Sequence, residues 1–154
     1  MPPDPPRDPD RRLELRIVIP SEPLAVRAAL GSVMAGLDVL GPSEDARGTV
    51  ELTLAEALNN VVEHAYGGGA GLIEMVLAHA RGRIAVEVSD DGRPLPGGLD
   101  GLPFAPDPHE LPEGGFGWAI LAALARDLDY RRAGGRNHLR FVVELAEGAP
   151  VRAA

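Results

Sequence analysis

The chain has 154 residues and a mass of 16.2 kDa, long enough for one globular domain with a core and too short for two. It contains neither cysteine nor lysine, all 15 basic residues being arginine. That excludes thiol nucleophiles, cysteine zinc sites, disulfides, a Walker A lysine, Schiff-base chemistry and Ser-Lys dyads. A net charge of −8 and an isoelectric point near 4.9 argue against attraction to nucleic-acid phosphates, and no apolar run approaches the roughly 18 residues that span a bilayer.

The expectation is therefore a cytoplasmic protein with no nucleic acid and no membrane among its partners. The four serines, Ser21, Ser32, Ser43 and Ser89, lie outside any G-x-S-x-G elbow, which disfavours hydrolysis through a serine nucleophile.

Residues 1–12 hold five prolines and almost no apolar side chains, so they are expected to form a mobile tail that cannot offset its ordering entropy. Residues 13–19 alternate and then turn apolar, a strand that Pro20 stops. Pro23 suits the first turn of a helix whose apolar positions run to Leu37. Residues 45–66 carry a helical apolar period without proline, ended by Gly67, Gly68 and Gly69.

Two β-rich runs, 72–79 and 84–88, are joined by Ala80-Arg-Gly-Arg83 as a hairpin. Residues 91–113 are rich in proline and glycine and show no period, a length that within a compact domain fits an active-site lid. Gly114-Gly-Phe-Gly117 opens a helical run expected over 118–128, and two closing strands, 130–132 and 139–145, flank a turn at 133–136. Residues 147–154 read as a second tail, leaving 13–146 as the domain. The order β, α, α, β, β, lid, α, β, β implies an α/β two-layer sandwich with one mixed, mostly antiparallel sheet and about three helices on one face.

Three constellations could carry chemistry. On the long helix Leu54, Leu58, Val61 and Ala65 form a buried stripe, and Glu56, Asn60 and His64 follow one another at i+4 along a second edge. A solvated helix face gives such a stripe; so does a site in which Glu56 acts as a base and the Asn60 oxygen ligates Mg²⁺. Asp90-Asp-Gly92 ends a strand, as in many turns, yet a carboxylate fixed there can accept from an exocyclic amine while glycine allows close backbone approach.

Gly114-Gly115-Phe116-Gly117 stands at a helix start, where free backbone N–H groups suit an anion, although such a cluster also serves as a hinge. Phe116 and Trp118 read as core rather than as a cofactor cage. Arg131, Arg132, Arg136 and Arg140 read as a solvated hairpin, with an acidic partner as the other reading.

Taken in order, Ala55-Glu-Ala-Leu-Asn-Asn60-Val-Val-Glu-His64-Ala-Tyr66, Asp90-Asp-Gly92 and Gly114-Gly-Phe-Gly117 resemble the N, G1 and G2 boxes of the GHKL (Bergerat-fold, histidine kinase-like) ATPases, above all the anti-sigma-factor serine kinases of the RsbW type. The resemblance covers residues 13–145. It implies a Bergerat fold with an ATP lid and ATP and Mg²⁺ as cofactors. By position, Glu56 would be the catalytic base, Asn60 the Mg²⁺ ligand, Asp90 the reader of the adenine amine and Gly92 the point of close nucleotide approach. Gly115 and Gly117 would meet the phosphates, and His64 would touch lid or phosphates.

The implied function is a Mg-ATP-dependent serine/threonine kinase acting as an anti-sigma factor in partner switching, with a STAS-domain anti-anti-sigma protein and a sigma factor as partners and a homodimer as its assembly. The alternative is a non-catalytic nucleotide-binding or partner-sequestering module. Two departures bear on it. Pro94 replaces the second glycine of the usual D-x-G-x-G box, and without lysine the phosphate charge falls to Mg²⁺, backbone amides and Arg93 or Arg126.

Overall fold

The computed structural model describes residues 13–101 and 116–145. The expected tails at 1–12 and 147–154, most of the lid, and Gly115 lie outside the described residues. The elements in chain order are β1 (Leu13–Pro20), α1 (Pro23–Asp38), α2 (Glu44–Asn60), a π-helical turn (Val61–Ala65), β2 (Leu72–Ala80), β3 (Arg83–Asp90), a 3₁₀ turn (Gly98–Gly101), α3 (Phe116–Leu124), β4 (Arg126–Ala133) and β5 (Arg136–Glu144).

Local chemistry explains most boundaries. Pro23 starts α1 where a missing N–H costs nothing. Ser43 caps α2 by accepting from the Ala46 N–H at 3.1 Å, with Glu44 and Asp45 favourably placed in the first turn. Both hairpins turn on two residues of positive φ, Arg81-Gly82 and Gly134-Gly135, which match the twist of the flanking strands.

The strands form one sheet in the order β1-β2-β3-β5-β4. Every pairing is antiparallel, so the sheet expected to be mixed contains no parallel pair among the described residues. Alternation divides its faces. Ile73, Met75 and Leu77 of β2, Ile84, Val86 and Val88 of β3, and Leu139, Phe141 and Val143 of β5 are buried, and with Val33, Leu54, Leu58 and Leu121 of the helices they form the core. The opposite face carries ion pairs such as Arg16–Glu74 and Arg140–Glu87, both 2.8 Å.

Two expectations fail at element ends. The long helix does not stay α-helical to Tyr66: it ends at Asn60 and widens into the π turn, with the Tyr66 N–H bonded to the Val61 carbonyl five residues back. The helix expected over 118–128 stops at Leu124, and β4 begins at Arg126 rather than 130. There Asp127 takes φ +54° and the β4–β5 register slips between Arg126 and Asp129, a bulge that an aspartate tolerates in the left-handed region.

Candidate functional site

A cavity of about 330 Å³ opens between the end of α2 with its π turn, the ends of β3 and β5, and the segment after β3; its size is that of a small-ligand site. Asn60, His64, Asp90, Pro94, Trp118 and Asn137 are among its lining residues. Three sequence-derived candidates, Asn60, His64 and Asp90, therefore share one cavity.

Asn60 is 6% exposed, and its Nδ2 has no hydrogen-bond partner among the described residues. A buried amide left unsatisfied is costly, so a polar ligand group in the cavity would relieve it. His64 is half exposed, with Nε2 3.9 Å from a Glu63 carboxylate oxygen. It lies within the π turn that follows Asn60, so the i+4 stripe read along an unbroken helix is shifted at its last member.

Asp90 is 4% exposed at the end of β3. Its Oδ1 accepts from the Gly92 N–H at 2.9 Å and from Asn137 Nδ2 at 2.8 Å. Burial pushes its carboxyl above the ordinary carboxylate range; the bonds from Asn137 and Gly92 pull the other way, Asp91 adds to the rise, and Arg132 opposes it.

Glu56 and Gly117 stand together beside the cavity rather than among its lining residues. A β-carbon on Gly117 would run into Glu56 Oε2 and come within 3.4 Å of Asn60 Oδ1. The absent side chain thus leaves the space that the Glu56 carboxylate fills. Beside the nucleotide approach expected of it, Gly92 has a packing reason to be glycine. A β-carbon there would come within 2.7 Å of the Ala65 carbonyl carbon, while the adjacent Arg93 N–H donates to the Ala65 carbonyl at 2.7 Å. Its missing side chain permits close packing of the segment after β3 on the π turn. Tyr66 completes this junction: its hydroxyl donates to the Leu72 carbonyl at 2.7 Å and accepts from the Asp91 N–H at 2.9 Å.

The arginines separate. Arg93 lines the cavity, whereas Arg126 pairs with Glu144 at 3.6 Å and is not among the lining residues. Of the hairpin cluster, Arg131 pairs with Asp129, Arg136 with Glu74 and Asp91, and Arg140 with Glu87, which favours the solvated-hairpin reading. Arg132 instead joins the site, donating to the Gly92 carbonyl at 2.9 Å and to Asn137 Oδ1 at 2.8 Å. Trp118, 9% exposed, belongs both to the core and to the cavity wall.

Sequence reasoning missed Asn137 and Tyr130. A signal for Asn137 was present: it is a polar residue at the inward parity of a strand whose other inward positions are Leu139, Phe141 and Val143.

A nucleotide with its metal fits this donor set. Asn60 offers a carboxamide oxygen of the hard type Mg²⁺ prefers, Asp90 offers a buried carboxylate acceptor, and α3 presents its N-terminal end next to Glu56.

Comparison with known proteins gives the family. The sequence pattern of the histidine kinase-like ATPase domain family matches residues 19–143. The chain belongs to the histidine kinase-like ATPase domain family. It is 32% identical over 102 residues to the serine/threonine-protein kinase BtrW of Bordetella bronchiseptica, covering 65% of this chain and 72% of that one. Its fold matches the crystal structure of the RsbU and RsbW domains of a Mycobacterium tuberculosis protein, with a TM-score of 0.61 at 18% identity. That match covers 89% of this chain and 34% of the other, so the chain spans about a third of that protein's structure. Among the described residues, no helix is long and apolar enough to cross a membrane.

Proposed function

We propose that the chain is a Mg-ATP-dependent serine/threonine protein kinase that acts as an anti-sigma factor in a cytoplasmic partner-switching pathway, phosphorylating a serine of a STAS-domain anti-anti-sigma protein. The observation that carries the nucleotide part is the meeting in one cavity of Asp90, clamped by two donors, and Asn60, a buried amide whose Nδ2 lacks a partner among the described residues. The likeness to BtrW, a serine/threonine kinase by name, supports phosphotransfer to protein.

In this reading Asp90 accepts a hydrogen bond from the adenine amine, and the apolar walls Val61, Leu95, Trp118 and Leu139 enclose the base. Asn60 Oδ1 would hold Mg²⁺, and the ion would supply charge neutralisation for phosphoryl transfer. Gly115 and Gly117 meet the phosphates with their backbone amides, and His64 and Arg93 stand at the cavity to contact them.

Glu56 takes the proton of the substrate serine hydroxyl as its oxygen forms the new bond to the γ-phosphorus. The bond from that phosphorus to the β–γ bridging oxygen breaks, and ADP leaves with the electron pair. The sigma factor and the STAS protein are the exchanging partners, and a homodimer is the working assembly.

A second reading, a module that sequesters its partner without catalysis, draws on Pro94, which takes the place of a hinge glycine in the cavity wall. The test is phosphotransfer from γ-labelled ATP to a cognate STAS protein by wild type and Glu56→Gln. Loss of transfer by about 100-fold or more with ATP binding retained supports the kinase. Undiminished transfer by Glu56→Gln removes Glu56 from its role, and absence of transfer by wild type that binds ATP favours sequestration.

A further inference from the structure

We propose that Asn137 is a positioning residue of the nucleotide site, orienting the Asp90 carboxylate and fastening residues 92–95 to the β4–β5 hairpin. The inference rests on the nucleotide reading of the cavity.

Asn137 and Asp90 are register partners on adjacent antiparallel strands, so their side chains leave the sheet on the same face. At 4% exposure each, neither is satisfied by bulk water. Asn137 Nδ2 donates to Asp90 Oδ1 at 2.8 Å and to the Arg93 carbonyl at 2.9 Å. Its Oδ1 accepts from the Tyr130 hydroxyl at 2.6 Å and from Arg132 at 2.8 Å. A carboxamide has two N–H donors and two oxygen lone pairs, and all four are used. The amide orientation follows from its neighbours, since a carboxylate and a carbonyl lie on one side and a hydroxyl and a guanidinium on the other.

The segment after β3 shows why side chains must do this work. Pro94 has no N–H to donate. The Gly92 carbonyl is held by Arg132, the Arg93 carbonyl by Asn137, and the Leu95 N–H donates to the Tyr130 hydroxyl at 2.9 Å. Tyr130 spends its single proton on Asn137, which leaves its oxygen to accept from Leu95. Asp90 Oδ1 is thus fixed by Asn137 and Gly92 in a residue that lines the cavity. The charged and titratable groups around Asp90 are Asp91 and Arg93 on its own segment, Arg132 from β4, and Glu63 and His64 from the π turn lining the same cavity.

The experiment measures ADP binding by calorimetry from pH 5 to 8 for wild type, Asp90→Asn, Asn137→Ala, Asn137→Asp and Tyr130→Phe. The midpoint of the Asp90 carboxyl is read in parallel by NMR. The difference between wild type and Asp90→Asn isolates the contribution of Asp90 from those of His64 and Glu63. Asn137→Ala is expected to weaken ADP about tenfold, since a hydrogen bond to a charged group is lost, and to move the Asp90 midpoint upward. Tyr130→Phe, which keeps the ring, shifts both in the same direction by less.

Asn137→Asp sets two carboxylates together, so its ADP binding is weak at pH 8 and recovers on acidification as they share one proton, opposite to wild type. A purely structural role would leave both midpoint and pH direction unmoved. An Asn137→Asp profile that parallels wild type, or an Asp90 midpoint unchanged in both Asn137→Ala and Tyr130→Phe, overturns the proposal. If wild type binds no ADP, the nucleotide reading falls while the NMR midpoint still decides the positioning claim.

Discussion

Gly117 and Glu56 share one volume: a β-carbon on the glycine of α3 would overlap the carboxylate Oε2 of the glutamate on α2. The obstructing atom is the far end of a flexible side chain, so Gly117→Ala is expected to displace Glu56 rather than unfold the protein. Thermal melting should show little change, ATP binding should persist, and phosphotransfer should fall by about tenfold or more, because a base moved by an ångström loses its reach. A variant that melts normally and transfers phosphate at the wild-type rate contradicts the placement of Glu56.

Gly92 predicts the contrary pattern. Its absent β-carbon faces the Ala65 backbone, which cannot swing away, so Gly92→Ala should cost about 1–3 kcal/mol of stability. The same change should detach Arg93 from the Ala65 carbonyl and weaken nucleotide binding with it. Chemical denaturation measured beside calorimetry separates the two effects.

The raised pKa of Asp90 has two consequences of opposite sign. Nucleotide recognition needs the ionised acceptor, so affinity should decline on acidification at a pH above the ordinary carboxylate range. Folding runs the other way. The folded state holds this proton more tightly than the unfolded chain, so the contribution of Asp90 to stability is fully present below its unfolded pKa and is lost as pH rises through its folded value. At neutral pH the buried carboxylate therefore weighs against the ligand-free fold. Asp90→Asn should raise the melting temperature of the ligand-free protein while abolishing ATP binding, a trade of stability against function.

On the far face of the sheet the sign is reversed. Burial tends to raise Glu87, but hydrogen bonds from His138 and Arg140 prevail and hold it below its ordinary value. Its contribution is present above the unfolded pKa and fades as pH falls through the folded one. Glu87→Gln should cost no more than about 1 kcal/mol at pH 7 for so exposed a cluster, and nothing once the medium is acidic enough to protonate Glu87 in the folded protein; denaturation at several pH values reads this directly.

Much of the architecture was legible in the sequence because it is written in local chemistry. Pro20, Pro23 and the Gly134-Gly135 turn mark boundaries by backbone restriction, and the parity of Ile73, Met75 and Leu77 marks the buried face. The π turn was not legible, since Val61 and Val62 fit an α-helix equally well and only the tertiary bond between Arg93 and Ala65 exploits the widened backbone. Nor was the early start of β4, where Leu128 continues a helical period and the bulge at Asp127 decides otherwise.

In the site, Asn60 announced itself in a polar stripe with Glu56 and His64, and Asp90 as the acidic end of a strand. Tyr130 and Arg132 did not, and Asn137 showed only as a polar residue at an inward strand position, because their roles arise from pairing across the β4–β5 hairpin and with β3. The reason for Gly92 was likewise hidden, since the atom that would meet its β-carbon belongs to Ala65, 27 residues away by numbering.

The most direct test of the central claim is calorimetric titration of ATP, with and without Mg²⁺, into wild type, Asp90→Asn and Asn60→Ala. The account predicts binding by wild type that Mg²⁺ strengthens, loss of binding in Asp90→Asn, and binding by Asn60→Ala that no longer responds to Mg²⁺. Absence of ATP binding to folded wild type, or full Mg²⁺-dependent binding in both variants, would contradict it.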